Sequence, residues 1–342
     1  MKAILEDIPN RFKSDTLQVK PCALAVFPIA WEFFRVPLYG PLLYSIFSND
    51  LALYIEGATV IQYADDTQIL VTGKKSKMQQ LINTMESMLS VILDWFTCHS
   101  MKVNTAKTQL MVFGTKPMLR HVPPVSVKFG SAVITESQNV KNLGVVMDRH
   151  LTFEKHIDQL AARSTGTLMA LSHDKHVLPR NSLVQIVSAL VLSSIRYCIA
   201  LYGTHGTTQI HRVQKLINFS ARIVSGRRRC DHISDVVRDL RWLSADQLVK
   251  YHMLCMLKKV LLTGQPPDIA AMLTRAEHNH DTRQATQLRR PRAVSNSGAR
   301  RFSYRASGLF NRLPPDLRDV ERLCRFKPQL MELLLSGTFD DG

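Results

Sequence analysis

The segment Thr59-Val60-Ile61-Gln62-Tyr63-Ala64-Asp65-Asp66-Thr67-Gln68-Ile69-Leu70-Val71 sets two β-prone runs on either side of an aspartate pair. That is the pattern of a hairpin with two carboxylates at its tip. Flanking strands hold such a tip rigid and leave it open to solvent. Adjacent hard oxygen donors with room beside them suit a divalent cation and a substrate phosphate. The same pair also suits a plain turn closed by Asx hydrogen bonds. The tetrapeptide by itself does not separate the two.

The remaining text reads as α+β. A turn at Gly40-Pro41 leads into a buried helix toward Leu51. Over 76–97, Leu81, Met85, Met88, Leu89, Ile92 and Phe96 recur at three- and four-residue steps, which predicts a helix with those residues in the core. Gln109–Phe113 is a short apolar strand, and 125–146 reads as further strands around Gly130 and Asn142. Residues 1–30 offer no strand or helix. After Asp148 the pattern turns helical, near 153–172, 180–202, 208–225 and 245–262. Ile210, Val213, Leu216, Ile217, Ala221 and Val224 form one apolar stripe. Ser244 with Gln247 fits a capping box, and Gly264 fits the stop. Residues 282–315 carry eight Arg and no Asp or Glu, and read as a loop-rich basic segment. A last helix runs from Pro314-Pro315 to near Leu335.

Charge narrows the function. Residues 1–160 hold 16 basic and 14 acidic side chains, and residues 161–342 hold 28 and 14, so +2 and +14 make up the net +16. A basic half of this kind points to a polyanionic partner, nucleic acid before an anionic membrane, with a solvated basic surface as the alternative. A hydrophobic fraction of 45% excludes a wholly disordered chain. Six cysteines without a C-x-x-C pair argue against a disulfide framework and a common zinc site, and fit the nucleus or cytoplasm. The most apolar long stretch, 182–202, contains Gln185 and Arg196 and reads as a buried helix, so no membrane partner is expected. His278, His280 and Asp281 read as an exposed polar loop, and Arg227-Arg228-Arg229 as a weak phosphate or import patch.

The ordered set of segments resembles the reverse transcriptase of non-LTR (LINE-type) retrotransposons. Gly40-Pro41-Leu42-Leu43-Tyr44-Ser45-Ile46-Phe47 with Asn49-Asp50-Leu51 is similar to the end of that family's motif B. Tyr63–Asp66 is similar to motif C, the catalytic hairpin of the polymerase palm. Lys102-Val103-Asn104, Lys107-Thr108 and Met111-Val112-Phe113-Gly114 are similar to motif D and the strand after it. Val140-Lys141-Asn142-Leu143-Gly144-Val145-Val146-Met147-Asp148 is similar to the primer-grip hairpin. Leu151-Thr152-Phe153 with His156-Ile157 looks like the start of the thumb. Arg300-Arg301-Phe302-Ser303-Tyr304-Arg305 and Leu309-Phe310-Asn311-Arg312-Leu313-Pro314-Pro315-Asp316-Leu317-Arg318 look like the region after the thumb in arthropod elements.

The resemblance implies a partial palm over 36–148 after a divergent segment 1–35, a helical thumb over 149–264, and a basic C-terminal region over 265–342. It implies Asp65 and Asp66 as catalytic Mg²⁺ ligands. It implies Tyr63, Lys102, Lys107, Lys141, Asn142 and Gly144 as contacts to nucleic acid, with a surface lysine or a plain turn glycine as the alternative readings. Arg289, Arg290, Arg292, Arg300, Arg301 and Arg305 join them, since guanidinium forks grip phosphate and the neighbouring rings of Phe302 and Tyr304 can stack on bases. The implied partners are an RNA/DNA template–primer and, in the parent polymerase, a dNTP.

Two departures stand out. The family places a third carboxylate, from motif A, on a strand beside the hairpin, whereas Asp7 and Asp15 here lie among polar residues. Two Mg²⁺ about 4 Å apart repel by roughly 17 kcal/mol at an effective dielectric of about 20, and a bridging carboxylate offsets part of that. The Gln-Gly-Ser of motif B is also missing, because Val36-Pro37 runs directly into Leu38-Tyr39-Gly40. The expectation is a polymerase fragment that is inactive alone, or a non-catalytic nucleic-acid-binding remnant.

Overall fold

A computed structural model describes residues 22–27, 40–64, 66–204, 206–275 and 287–339. The chain divides into two compact units at Asn142–Leu143, with Arg149–Leu151 returning to the first.

The first unit is built on a four-stranded antiparallel sheet. Its strands are β1 (Cys22–Phe27), β2 (Thr59–Tyr63), β3 (Asp66–Gly73) and β4 (Gln109–Phe113), in the order β2-β3-β1-β4. β2 and β3 form the expected hairpin, with Tyr63 opposite Asp66 and Thr59 opposite Leu70. β1 lies between β3 and β4, pairing Val26 with Ile69 and Phe27 with Gln109. This is a correction, because residues 1–30 offer no strand from sequence. Cys-Ala-Leu-Ala-Val-Phe is apolar at every position. Such a run fits an interior strand with both edges paired, but it has no alternation to announce it.

Helix α1 (Gly40–Phe47) precedes β2, and α2 (Met78–Cys98) follows β3. α2 buries Leu81, Met85, Met88, Leu89, Ile92, Trp95 and Phe96, the predicted face plus Trp95. These residues form one core with Ile69 and Val71 of β3 and Leu110 and Val112 of β4. Burying a large apolar side chain contributes about 1.5–3 kcal/mol, so this single helix face supplies much of the unit's stabilisation. A short α3 (Lys116–Leu119), a hairpin of β5 (Ser126–Phe129) and β6 (Ala132–Thr135), and β7 (Asn139–Asn142) complete the unit. Val127, Phe129 and Ile134 extend the same core.

The second unit opens with β8 (Val145–Asp148) and continues in helices: α4 (Glu154–Asp174), α5 (Arg180–Val187), α6 (Ser193–Arg196), α7 (Ile199–Tyr202), α8 (Thr207–Ser225), α9 (Ser234–Asp239), α10 (Ala245–Thr263), α11 (Pro267–Ala271), α12 (Asn296–Ala299), α13 (Phe302–Arg312), α14 (Pro315–Arg318) and α15 (Leu323–Leu335). The α8 stripe is in the core as expected, with Val213, Leu216, Ile217, Ala221 and Val224 buried and Ile210 packed against them. The helix expected over 180–202 is broken twice. A π-turn spans Ser188–Leu192, and Cys198 takes the left-handed region at φ +55°. The chain can thereby bury Tyr202, whose hydroxyl donates to the Ile195 carbonyl, while Tyr197 stays exposed. The Arg-rich segment also differs from expectation. α13 runs through it because Ala306 and Phe310 are buried and Phe302 and Leu309 pack on the core, a stripe obscured by the intervening Arg, Ser and Gly. The last helix is two, α14 and α15, parted at 319–322.

Candidate functional site

The hairpin tip follows from strand register. β2 ends at Tyr63 and β3 starts at Asp66, and Ala64 holds a left-handed φ of +49°. A two-residue hairpin favours such a conformation because it matches the strand twist. For a non-glycine residue it costs on the order of 1 kcal/mol. Asp65 lies outside the described residues. Tyr63 is exposed and Asp66 half-buried.

Burial alternates along β3, with Thr67, Ile69 and Val71 inside. Asp66 and Gln68 therefore share the opposite face. Gln68 Nε2 donates to Asn142 Oδ1 at 2.8 Å. The structure thus brings Asn142, expected from sequence, to the carboxylate-bearing face through Gln68, which sequence reasoning missed. The available signal was the two-residue step from Asp66.

Lys102 and Lys107 are exposed on the connection from α2 to β4. Lys107 stands two residues before Gln109, which pairs with the last residue of β1. The registers therefore put Lys107 and Asp66 at the same end of the sheet, with β1 between their strands. Lys141 is exposed in β7. Leu143, at φ +43°, opens the second unit and Gly144 follows at φ +84°. Tyr197 donates its hydroxyl to the Leu143 carbonyl at 2.6 Å and packs beside Gly144. Gly144 thus has a left-handed backbone and an aromatic support that its local sequence does not reveal.

Among the arginines, Arg289, Arg290, Arg292, Arg300 and Arg301 are exposed. Arg305 is half-buried and donates Nη1 to the Thr204 carbonyl at 3.3 Å. The segment around Leu288 is anchored rather than loose: the Leu288 N–H donates to Asn311 Oδ1, and Asn311 Nδ2 donates back to the Leu288 carbonyl, both at 2.8 Å. Of the Arg227–Arg229 run, Arg227 forks onto Asp235, at 2.7 and 2.5 Å, and this bond holds the Asp235 carboxyl below its ordinary range. His278, His280, Asp281 and Arg283 lie outside the described residues.

Among the described residues, no three His, Cys, Asp or Glu gather where they could hold a metal ion, and no helix is long and apolar enough to cross a membrane. β1, the strand beside the hairpin, contains no carboxylate in its sequence.

Residues 38–147 match the family model of reverse transcriptase (RNA-dependent DNA polymerase). The chain is similar to the RNA-directed DNA polymerase from mobile element jockey of Drosophila melanogaster, 24% identical over 229 residues, covering 64% of this chain and 24% of that protein. The jockey polymerase of Drosophila funebris is 27% identical over 212 residues, 59% of this chain and 22% of the relative. The probable RNA-directed DNA polymerase from transposon X-element of Drosophila melanogaster is 23% identical over 220 residues, 62% of this chain and 24% of the relative. The chain therefore spans about a quarter of the length of these curated relatives. No solved structure matches it significantly. The Tyr63–Asp66 hairpin lies inside the matched span, and the chain is similar to the reverse transcriptases of the non-LTR (LINE-type) retrotransposon family.

Proposed function

We propose that this chain holds an RNA/DNA template–primer for a non-LTR reverse transcriptase and does not polymerise dNTPs by itself. The first unit is the palm portion in this reading. The helices α4 to α10 are the thumb, followed by the basic region. The observation that carries the reading is β1. It pairs with β3 of the hairpin and its six residues contain no carboxylate, whereas the resemblance calls for a third one on a strand beside the hairpin. Asp65 and Asp66 supply the right chemical type of donor for Mg²⁺, but without a bridging carboxylate they do not fit a two-ion centre. A single weakly held ion is the most this donor set supports.

The test is primer extension by the full chain with Mg²⁺ or Mn²⁺ on an oligo(dT)·poly(rA) template–primer. The expected result is retained binding with no incorporation. Template-directed synthesis abolished by Asp65→Ala or Asp66→Ala refutes the proposal.

The exposure of five arginines over 289–301 favours a second reading, in which nucleic-acid binding runs through these residues alone. Five arginines on phosphates give a slope of log K against log salt of about −3.5 to −4.5. In this reading Asp66→Ala and Lys107→Ala leave affinity unchanged. A flat salt dependence removes both readings.

A further inference from the structure

Arg290 is fixed against α13 by three independent features. The first is its backbone. Leu288, two residues earlier, is buried and clamped by Asn311, while Arg289 N–H donates to the Thr274 carbonyl at 2.9 Å and Leu288 bridges Arg275. The second is Tyr304, whose ring centroid lies 3.9 Å from Arg290 Cζ, a cation–π stack. The third is Gly308, one turn beyond Tyr304. A Cβ built there would stand 3.3 Å from both Cζ and Nε of Arg290, so the guanidinium lies along bare helix backbone. Among the described residues, no carboxylate pairs with Arg290. The residue is exposed, and so are Arg289 and Arg292 on either side.

A stacked guanidinium is planar and weakly hydrated, and with one face on a ring it presents the other to a flat partner. We propose that Arg290, backed by Tyr304 and Gly308, is a stacking shelf for an unpaired base of single-stranded nucleic acid, with Arg289 and Arg292 taking the adjacent phosphates. This rests on the nucleic-acid reading above and specifies its partner. In a duplex both faces of an interior base are already covered, so the shelf selects single strands. An acidic protein or an anionic lipid surface would use the charge but has no use for the plane.

The experiment is a titration of the full chain with a 2-aminopurine-labelled oligonucleotide, as RNA and as DNA, against a blunt duplex of equal length. Two variants are compared. Arg290→Lys keeps the charge and loses the plane. Gly308→Ala keeps Arg290 and favours the helix, but its Cβ makes the guanidinium give by a few tenths of an ångström. The wild type is expected to quench the fluorophore and to prefer the single strand. Arg290→Lys weakens single-strand binding about tenfold with the salt slope and duplex affinity unchanged. Gly308→Ala, with an unchanged thermal midpoint or a higher one, weakens it severalfold. If both variants bind and quench like the wild type, the shelf is overturned while the nucleic-acid reading stands. Wild-type protein that binds no nucleic acid at about 0.1 M salt removes both. Preference for anionic vesicles over single strands also overturns the shelf.

Discussion

Gln68 and Asn142, seventy-four positions apart, are joined by an amide–amide hydrogen bond of 2.8 Å. The bond ties the strand that begins with Asp66 to the last residue of β7. Both residues are half-buried, so removing either partner leaves the other incompletely satisfied. Gln68→Ala and Asn142→Ala should each cost about 1 kcal/mol. The double variant should cost about 0.5–1 kcal/mol less than their sum. Urea unfolding of the four proteins measures this. Strict additivity means the bond contributes nothing.

Stability should fall on mild acidification. Burial pushes His156 below the ordinary 6.5, helped by the nearby Arg163 charge, and burial does the same at His252, helped by Arg196 and Lys327. The folded state therefore keeps both rings neutral where the unfolded chain takes up protons. Below about pH 6.5 the unfolded state binds more protons, and stability drops as pH falls until the folded values are reached. Each ring contributes at most roughly 1.4 kcal/mol per pH unit in that window. Comparing urea midpoints at about pH 7.5 and about pH 5.5 should show a loss that the His156→Gln, His252→Gln double variant reduces. An equal loss in both proteins would place the effect elsewhere.

Elements with a strong internal period were legible in the sequence. The 59–71 hairpin, the buried face of α2 and the Ser244 capping box all appear where their spacing put them, the last with Gln247 N–H donating to Ser244 Oγ and Ser244 N–H donating to Gln247 Oε1. β1 escaped because an interior strand needs no alternation. α13 escaped because its apolar stripe is interleaved with arginines whose number suggested a loop. The two-sided clamp on Leu288 and the Tyr197 support of Leu143 are tertiary, and no local pattern encodes them. The hairpin that starts its second strand at Asp66 was legible; the strand beside it became visible only through the register.

Gly203 should not tolerate alanine. Its φ of −71° is open to any residue, so the constraint is space. An added Cβ would lie 2.7 Å from the Ile199 carbonyl oxygen and press on Val249 of α10. The oxygen is main chain and already accepts the Gly203 N–H at 2.9 Å, so it cannot swing away. Overpacking of this kind costs about 1–3 kcal/mol. A thermal midpoint within a degree or so of wild type would show that the helix ends shift freely there.

Asn311→Ala should loosen one segment without unfolding the unit. Asn311 satisfies both main-chain groups of Leu288, at 2.8 Å each, and Leu288 is buried. Alanine strips away both bonds at a site with little access to water, at a cost of about 1–3 kcal/mol for each group left unpaired. The bond between Arg289 N–H and the Thr274 carbonyl remains, but it holds the segment from one side alone. Hydrogen exchange at residues 287–290 should therefore accelerate by an order of magnitude or more, while amides of α10, whose Leu254 and Leu257 are fully buried, keep their protection. Trypsin should cut after Arg289 earlier than in the wild type. Uniform acceleration across α10 and α13 would mean the clamp supports the whole helical core, and unchanged exchange at 287–290 would mean that Leu288 burial alone pins the segment.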